Sequence, residues 1–231
     1  MKTIGLLGGM SWESTLPYYR ILNETVGKEL GKPASAEILL HSVNFAVLEA
    51  LLQEERWEEI ADILSSAAKG LENAGAELMA ICTNTMHRVA PEICKAIGIP
   101  LVHIADATVN ALVKARVGTV ALLGTRFTMQ QDFYKEKIWN RGIEILLPDD
   151  WQMSEVDRII FEELCQGTLS ERSKTFFLAL IETLAHQGAQ GVLLGCTELG
   201  LLLHEKDAAL PLFDTTVIHA RRIANIALQS P

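Results

Sequence analysis

Two cysteines with the same local context lie in corresponding places of the two halves of the chain. Cys82 follows the apolar run Leu78–Ile81, and Cys196 follows the apolar run Val192–Leu194. A threonine comes directly after each cysteine. One ionised and one protonated thiol can serve together as a base and an acid. The residue types therefore favour proton transfer on the two faces of one carbon atom.

An internal repeat connects the two cysteines. Three motifs recur in the same order and at a nearly constant separation: Gly5–Ser11 with Ala121–Thr128, Gly75–Thr83 with Gly188–Thr197, and Ile99–Val102 with Leu210–Phe213. Any parallel α/β protein repeats an apolar strand, a glycine and a helix, so chance is the alternative explanation. A shared Cys-Thr at the strand end is harder to obtain from that pattern alone. The repeat predicts two copies of one α/β unit.

Short apolar runs alternate with amphipathic stretches along the chain. The runs expected to be buried strands are Thr3–Leu7, Ile38–Leu40, Leu78–Ile81, Leu101–Ile104, Thr119–Leu123, Ile143–Leu147, Val192–Leu194 and Leu212–Phe213. Helical spacing of apolar residues predicts helices over Trp57–Leu71, Ser154–Leu164 and Arg172–Leu184. A helix is also expected over Ala90–Ile97, with Cys94 in the core.

This alternation predicts an α/β protein of two pseudo-symmetric, Rossmann-like, three-layer α/β/α domains with parallel-rich sheets. We expect residues 1–104 plus 215–231 to form the first lobe and residues 105–214 to form the second. The active site is expected in the cleft between the two domains.

Composition narrows the function classes. The chain has 231 residues, of which 49% are hydrophobic and 21% charged, and a net charge of −9. The negative charge disfavours nucleic acids and anionic membrane surfaces as partners, and no apolar run is long enough to span a bilayer. Met1–Gly5 leads into a strand-like run without a cleavage site, so we expect a cytoplasmic protein. The four cysteines lack metal-ligand spacing, which predicts free thiols and no bound metal.

The position of the cysteines after strands gives them a functional interpretation. The carboxyl ends of parallel strands open onto the ligand crevice. Small polar residues that could cap a helix and leave backbone N–H groups for a carboxylate follow the two cysteines: Thr83, Asn84, Thr85, Thr197 and Glu198. A helix N-terminus is also expected to lower the pKa of each thiol. If the two units face each other, a ligand between them has one thiol over each face.

Racemisation of an amino acid needs such a pair. One thiol removes the α-proton, the other returns a proton to the opposite face, and the roles exchange in the reverse direction. General acid–base catalysis of this kind contributes about 10²–10⁴-fold in rate. Backbone N–H groups and hydroxyls around the carboxylate would stabilise the carbanion-like state.

The motifs resemble those of the aspartate/glutamate racemase family, which needs no pyridoxal phosphate. The resemblance covers essentially the whole chain and rests on Gly8-Gly9-Met10-Ser11, Cys82-Thr83-Asn84-Thr85 and Gly195-Cys196-Thr197-Glu198. It is greatest for the aspartate-racemase branch, because glutamate racemases usually carry a histidine where this chain has Glu198.

The resemblance implies a role for each motif residue. Cys82 and Cys196 would be the acid and base, with no cofactor and with a small amino acid as substrate. The residues expected to contact the substrate are Met10, Ser11, Thr83, Asn84, Thr85, Thr197 and Glu198. Relatives of this kind also suggest a homodimer.

One departure from the family bears on specificity. Dicarboxylate-specific members bind the distal carboxylate with an arginine after the second strand and a lysine in the second half. Here residues 41–49 contain no arginine and residues 161–167 contain no lysine. The resemblance then implies a relaxed specificity that includes neutral amino acids, as in broad-specificity members. Arg56 or Arg126 could supply a positive charge instead.

Several alternatives stay open at this point. A hydantoin racemase or a maleate isomerase would use a similar pair of cysteines, and in the isomerase one of them attacks carbon. Two similar lobes that close on a ligand also describe a sensor protein. Met10 and Cys165 could simply be core residues, His87 could tune the thiol or only face a helix neighbour, and Glu198 could cap a helix.

Overall fold

Two all-parallel sheets, one in each of two α/β units, organise residues 1–229, the part of the chain that this computed structural model describes. The first unit contains Met1–Ile104 and the chain from His219 onward, and the second contains Ala105–Ile218. Residues 230 and 231, the end of the first predicted lobe, lie outside the described residues. Within residues 1–229, no helix has both the length and the apolar character to cross a membrane.

The described residues form seven strands and eleven α-helices. The strands are β1 (Ile4–Gly8), β2 (Ile38–Ser42), β3 (Leu78–Ile81), β4 (Thr119–Leu123), β5 (Glu144–Leu146), β6 (Val192–Leu194) and β7 (Leu212–Asp214). The helices are α1 (Trp12–Leu30), α2 (Phe45–Gln53), α3 (Trp57–Asn73), α4 (Ala90–Ala96), α5 (Ile104–Ala115), α6 (Arg126–Gln130), α7 (Asp132–Trp139), α8 (Asp150–Glu162), α9 (Glu171–His186), α10 (Leu199–Leu202) and α11 (Thr215–Leu228). Two short 3₁₀ helices cover Thr85–Val89 and Leu164–Gln166.

The sheet of the first unit has the strand order β2-β1-β3. Every residue of β1 and β3 is buried, as expected for parallel strands that are covered on both faces. Leu7 of β1 is in register with Ile81, the last residue of β3. The turns that follow these two strands therefore begin side by side at one edge of the sheet.

The sheet of the second unit repeats this arrangement, with the order β5-β4-β6-β7. In each unit the first strand of the unit is central, the second pairs on one side and the third pairs on the other. Leu123 of β4 is in register with Leu194, the last residue of β6. Both units thus place their first three strands in the same order, the second unit adds β7 beyond β6, and the predicted fold class is confirmed.

The register also reveals a difference between the halves. The residue directly after the paired strand end is Cys82 in the first unit, because Ile81 is the last residue of β3. In the second unit that residue is Gly195, and Cys196 comes one residue later. The sequence repeat aligns the two Cys-Thr motifs, whereas the sheet register aligns Cys82 with Gly195.

The helices after the central strands start in the same way. The side chain of Ser11 accepts a hydrogen bond from the backbone N–H of Ser14 at the start of α1. The side chain of Thr125 accepts one from the backbone N–H of Thr128 at the start of α6. Such N-caps stabilise a helix by about 1 kcal/mol.

The predicted helices match α3, α8 and α9 to within a few residues.

Three expectations from the sequence were wrong. The strands β2 and β5 were expected to be buried, but both are partly exposed because they lie at the edges of their sheets. The run Leu101–Ile104 forms one bridge, from Leu101 to Met79, and Ile104 already begins α5. Cys94 was expected in the core but is exposed. Helix α4 buries Ala90 and Ile93, so Cys94 falls on the solvent side of the helix.

Gly9 closes the turn between β1 and α1. Its φ of +86° lies in the region that favours glycine. A Cβ added there would overlap the backbone carbonyl oxygen of Val43 and come within 2.7 Å of its nitrogen. The turn therefore requires glycine for both its conformation and its close approach to the segment after β2.

We predict that Gly9→Ala lowers the free energy of unfolding by more than about 1 kcal/mol, because it adds both strain and overlap. Gly70→Ala is the matched control, since Gly70 lies in α3 with open space around it, and should raise stability by about 0.5–1 kcal/mol. Urea denaturation of both variants and of the unchanged chain measures these differences in the free energy of unfolding. Equal effects of the two substitutions would contradict the assignment.

Candidate active site

Cys82 lies at the carboxyl end of β3 and is fully buried, with 0% of its surface exposed. Its backbone N–H donates a 2.8 Å hydrogen bond to the carbonyl of Leu7 and so extends the sheet by one residue. Its carbonyl accepts a bond of 3.4 Å from the hydroxyl of Ser14, in the first turn of α1. The cysteine backbone is thereby held between the central strand and the helix that follows that strand.

The turn after β1 is packed against the Cys82 turn through the first residues of α1. The Ser11 carbonyl accepts hydrogen bonds from the hydroxyls of Ser14 (3.0 Å) and Thr15 (2.9 Å). Thr15 also accepts a 2.9 Å bond from the backbone N–H of Gly9. Met10 and Ser11, predicted to contact the substrate, are both buried in this turn.

Thr83, Asn84 and Thr85 continue directly from Cys82 and are all buried. The 3₁₀ helix begins at Thr85. The carbonyl of Thr83 lies 2.7 Å from Nδ1 of His87. The structure thus brings together all the residues predicted for the first half of the site at one edge of the first sheet.

The second half of the site is built around a buried carboxylate. Glu198 is only 3% exposed. Its Oε2 accepts a hydrogen bond from the thiol of Cys196 at 2.9 Å and one from the hydroxyl of Thr197 at 2.8 Å. Cys165, in the 3₁₀ helix after α8, donates to Oε1 at 3.6 Å. Glu198 therefore fixes the direction in which the Cys196 thiol points.

Close backbone packing sets the position of Cys196. The N–H of Gly195 donates a 2.6 Å hydrogen bond to the carbonyl of Leu123. A Cβ on Gly124 would lie 3.0 Å from the carbonyl carbon of Gly195, and a Cβ on Gly195 would lie 2.8 Å from the Leu122 side chain. Glycine at both positions lets the ends of β4 and β6 approach each other and places Cys196 beside the start of α6.

The pKa of each thiol differs from the expectation. Burial raises the pKa of Cys82, and burial followed by the negative charge of Glu198 raises the pKa of Cys196. The sequence predicts the opposite, because a helix N-terminus after each cysteine would lower the pKa of the thiol. The helices that follow are a five-residue 3₁₀ helix and the four-residue α10, too short to offset the desolvation of a buried thiolate. Burial therefore keeps the pKa of each thiol above its usual range.

Two arginines were considered as sources of positive charge. Arg56 precedes α3 and is ion-paired with Glu54 and Glu59. Arg126 begins α6, directly after the β4 end, and donates to the hydroxyl of Ser154 at 2.5 Å. Arg126 is therefore the one that lies at the same sheet edge as Cys196. Within residues 1–229, no cluster of three or more His, Cys, Asp or Glu side chains could hold a metal ion.

Sequence reasoning missed the hydroxyls that hold the turns in place. Ser14 and Thr15 lie in the first turn of α1, Thr128 lies in the first turn of α6, and all are buried. Thr215, at the start of α11, donates a 2.8 Å hydrogen bond to the carbonyl of Leu194 at the end of β6. The recurrence of a hydroxyl three residues after Ser11 and after Thr125 was a signal that could have identified the first set.

Two repeated α/β units, each with a buried cysteine just after the carboxyl end of its third strand, define the class of protein. Residues 7–223 match the family model of the Asp/Glu/Hydantoin racemases. The chain belongs to that family.

Relatives of known structure cover the whole chain. A candidate Asp/Glu racemase from Yersinia pestis is 49% identical, with a TM-score of 0.91 over 99% of this chain and 100% of that one. An aspartate racemase homologue from Pyrococcus horikoshii OT3 is 38% identical, with a TM-score of 0.85 and the same coverage. The broad specificity amino-acid racemase RacX of Bacillus subtilis (strain 168) is 25% identical over 94% of this chain and 95% of that protein.

We predict that Glu198→Gln lowers the pKa of Cys196, because it removes the nearby negative charge and keeps a hydrogen-bonding side chain of the same size. The pH dependence of alkylation by iodoacetamide, followed on the Cys196 peptide by mass spectrometry, measures the shift. Glu182→Gln, at an exposed position on α9, is the control. An unchanged Cys196 profile in Glu198→Gln would contradict the charge effect.

Proposed function

We propose that the protein interconverts L- and D-amino acids by two-base proton transfer, with Cys82 and Cys196 as the two acid/base groups. The observation that carries this proposal is the repeated placement of one buried thiol, in each unit, at the carboxyl end of the strand that flanks the central strand. The family to which the chain belongs supports the same reaction class.

The reaction needs one thiolate and one thiol at the start. The thiolate takes the α-proton and becomes a thiol, and the electron pair of the broken C–H bond is left on the α-carbon and its carboxylate. The second thiol then donates its proton to the opposite face and becomes the thiolate. The net result is inversion of the α-carbon with the two sulfur atoms in exchanged protonation states.

The raised pKa values of the thiols indicate how ionisation is coupled to binding. In the described part of the chain, no positive charge lowers the pKa of either buried thiol, whereas an amino-acid substrate brings an ammonium group. A positive charge close to a thiol favours its ionised form. We infer that the bound substrate itself lowers the pKa of the attacking thiol, so that on binding this thiol releases its proton to water and becomes the reactive thiolate.

The remaining site residues supply binding. Thr83, Asn84, Thr85 and Thr197 are proposed to hold the substrate carboxylate through hydroxyl, amide and backbone N–H groups. Met10 and Ser11 are proposed to bound the pocket beside β1. Glu198 is proposed to contribute twice, by orienting Cys196 and by attracting the substrate ammonium.

We predict that Cys82→Ser and Cys196→Ser each reduce the interconversion of L- and D-amino acids by about 10²–10⁴-fold, because inversion needs a base on one face and an acid on the other and a serine hydroxyl is a much weaker acid and base. Chiral chromatography of the product formed from each enantiomer measures the loss. Cys94→Ser is the matched control and should retain full activity, since Cys94 lies exposed on α4. Undiminished interconversion in either of the first two variants would exclude the two-base mechanism.

The charges near Cys196 favour a relaxed side-chain specificity. Residues 161–167, which would carry a lysine in a dicarboxylate-specific relative, contain Glu162, Glu163 and Cys165 instead. The thiol of Cys165 shares the buried carboxylate of Glu198 with Cys196. An acidic substrate side chain next to this carboxylate would be repelled. The likeness to a broad specificity racemase points in the same direction.

We predict that kcat/KM for neutral amino acids equals or exceeds that for aspartate and glutamate. Chiral chromatography of the products across the proteinogenic amino acids measures this. Arg126→Gln provides a second comparison: it should lower turnover of the acidic substrates alone, because Arg126 is the cation at the same sheet edge. A strict preference for aspartate or glutamate would overturn the proposed specificity, and turnover of hydantoins alone would change the substrate class.

A further inference from the structure

The ring of His87 makes two hydrogen bonds to the backbone. Its Nε2 lies 3.1 Å from the backbone nitrogen of Ile104, and its Nδ1 lies 2.7 Å from the carbonyl oxygen of Thr83. The Ile104 N–H can only donate, so Nε2 accepts. The Thr83 carbonyl can only accept, so Nδ1 carries the proton and donates it. These two partners define one neutral tautomer of His87.

The surroundings of His87 fix the ring in place. The side chain is 2% exposed, and its ring centroid lies 4.5 Å from that of His103 and 5.7 Å from that of His219. His219 is itself anchored, because its Nε2 donates to the Val102 carbonyl at 2.7 Å and its Nδ1 accepts from the Tyr18 hydroxyl at 2.8 Å. Burial lowers the pKa of His219 to about 3, so this neighbour is neutral at pH 7.

His87 therefore joins three parts of the first unit that are distant in sequence. Thr83 is adjacent to Cys82, Ile104 is the last residue before the chain enters the second unit, and His219 is the first residue after it returns. The carbonyl of Thr83 is in the middle of the turn that carries the thiol. A buried carbonyl that loses its donor is costly, and the backbone rearranges to regain one.

We propose that His87 is a positioning residue, which holds the Cys82–Thr85 turn at the geometry needed for proton transfer through its Nδ1–H bond to the Thr83 carbonyl. This inference rests on the proposed function for its effect on catalysis. The restraint of the Cys82–Thr85 turn by His87 does not depend on that function and can be measured without a substrate.

Two isosteric substitutions separate positioning from simple core packing. In His87→Asn, the amide nitrogen falls near the place of Nδ1 and can still donate to the Thr83 carbonyl, while the bond from Ile104 is lost. In His87→Gln, the amide oxygen falls near the place of Nε2 and can still accept from Ile104, while the bond to Thr83 is lost. Each variant removes one hydrogen bond, and the shorter asparagine leaves the larger gap in the core. A greater effect of His87→Gln can therefore not come from lost packing.

The first measurement is the alkylation rate of the Cys82 thiol by iodoacetamide in the full chain, followed on the Cys82 peptide. We expect His87→Gln to raise this rate about tenfold or more and His87→Asn to change it by less than about threefold, since the turn is released only in the first. Equal rates in the two variants, or a greater rate in His87→Asn, would overturn the proposal.

The second measurement is kcat for α-proton exchange in D₂O, at a temperature where both variants are folded by circular dichroism. We expect His87→Gln to lower kcat by about 10–100-fold, because a small displacement of a catalytic group has effects of that size, and His87→Asn to retain most of it. A role confined to stability would lower the melting temperature of both variants without this difference in kcat. Tyr18→Phe is the control, since it removes the hydroxyl that bonds His219 and keeps both hydrogen bonds of His87, and it should leave kcat unchanged.

The possible failures are distinguishable. If the wild-type chain exchanges no amino acid or hydantoin, the proposed function is wrong, and the alkylation rates still decide whether His87 restrains the turn. If wild-type exchange is normal and His87→Gln retains it, the positioning role is wrong. If His87→Gln does not accumulate as folded protein, a fall of more than about 30-fold in kcat of folded His87→Asn overturns the proposal by itself.

Discussion

The parallel pairing of the central strand with the cysteine-bearing strand is the constraint on which the rest of the site depends. In the first unit, the Cys82 N–H donates to the Leu7 carbonyl, and in the second the Gly195 N–H donates to the Leu123 carbonyl. Each bond places two strand-to-helix turns side by side. Side chains from the first turn of the following helix then pack between the turns: the Ser14 hydroxyl donates to the Cys82 carbonyl, and the Thr128 methyl group lies beside Gly195.

Burial has opposite effects on the two requirements of thiol catalysis. It removes the sulfur atoms from bulk solvent, where ionised cysteines are oxidised or alkylated, but it also raises their pKa and so reduces the thiolate fraction. Glu198 increases that second effect at Cys196 while it fixes the direction of the S–H bond. The proposed mechanism meets both requirements if the charge that forms the thiolate comes from the substrate.

Much of the fold was predictable because buried parallel strands are short, apolar and bounded by turn residues. The bounds of β3, β4 and β6 match the predictions. The run Leu101–Ile104 has the same composition, yet only two of its residues engage β3 before α5 begins, a competition between sheet edge and helix that periodicity does not resolve. The exposure of Cys94 was missed for a related reason. In a helix as short as α4, the spacing of apolar residues does not show which side of the helix faces the core.

The candidate site was predictable as a set of motifs but not as a network. The strand-end position of Cys82 and Cys196 follows from the topology of parallel sheets. The thiol pKa values do not, because they depend on how deeply the turn is buried and on how short the next helix is. The partners of His87 are equally hidden in the sequence, since Ile104 donates through its backbone and carries no polar side chain.

The one-residue offset between the halves has a kinetic consequence. Cys82 directly follows its strand, whereas Cys196 is preceded by Gly195 and bonded to a carboxylate, so the two bases of the proposed reaction are chemically unequal. Mirror-image substrates with one stereocentre have the same free energy in water, which requires kcat/KM to be identical in the two directions. The difference between the two thiols then shows in kcat and in KM, which differ between the L and D forms by the same factor so that their ratio stays equal. An enzyme built from a duplicated unit would in this way be symmetric in its overall equilibrium and asymmetric in each of its half-reactions.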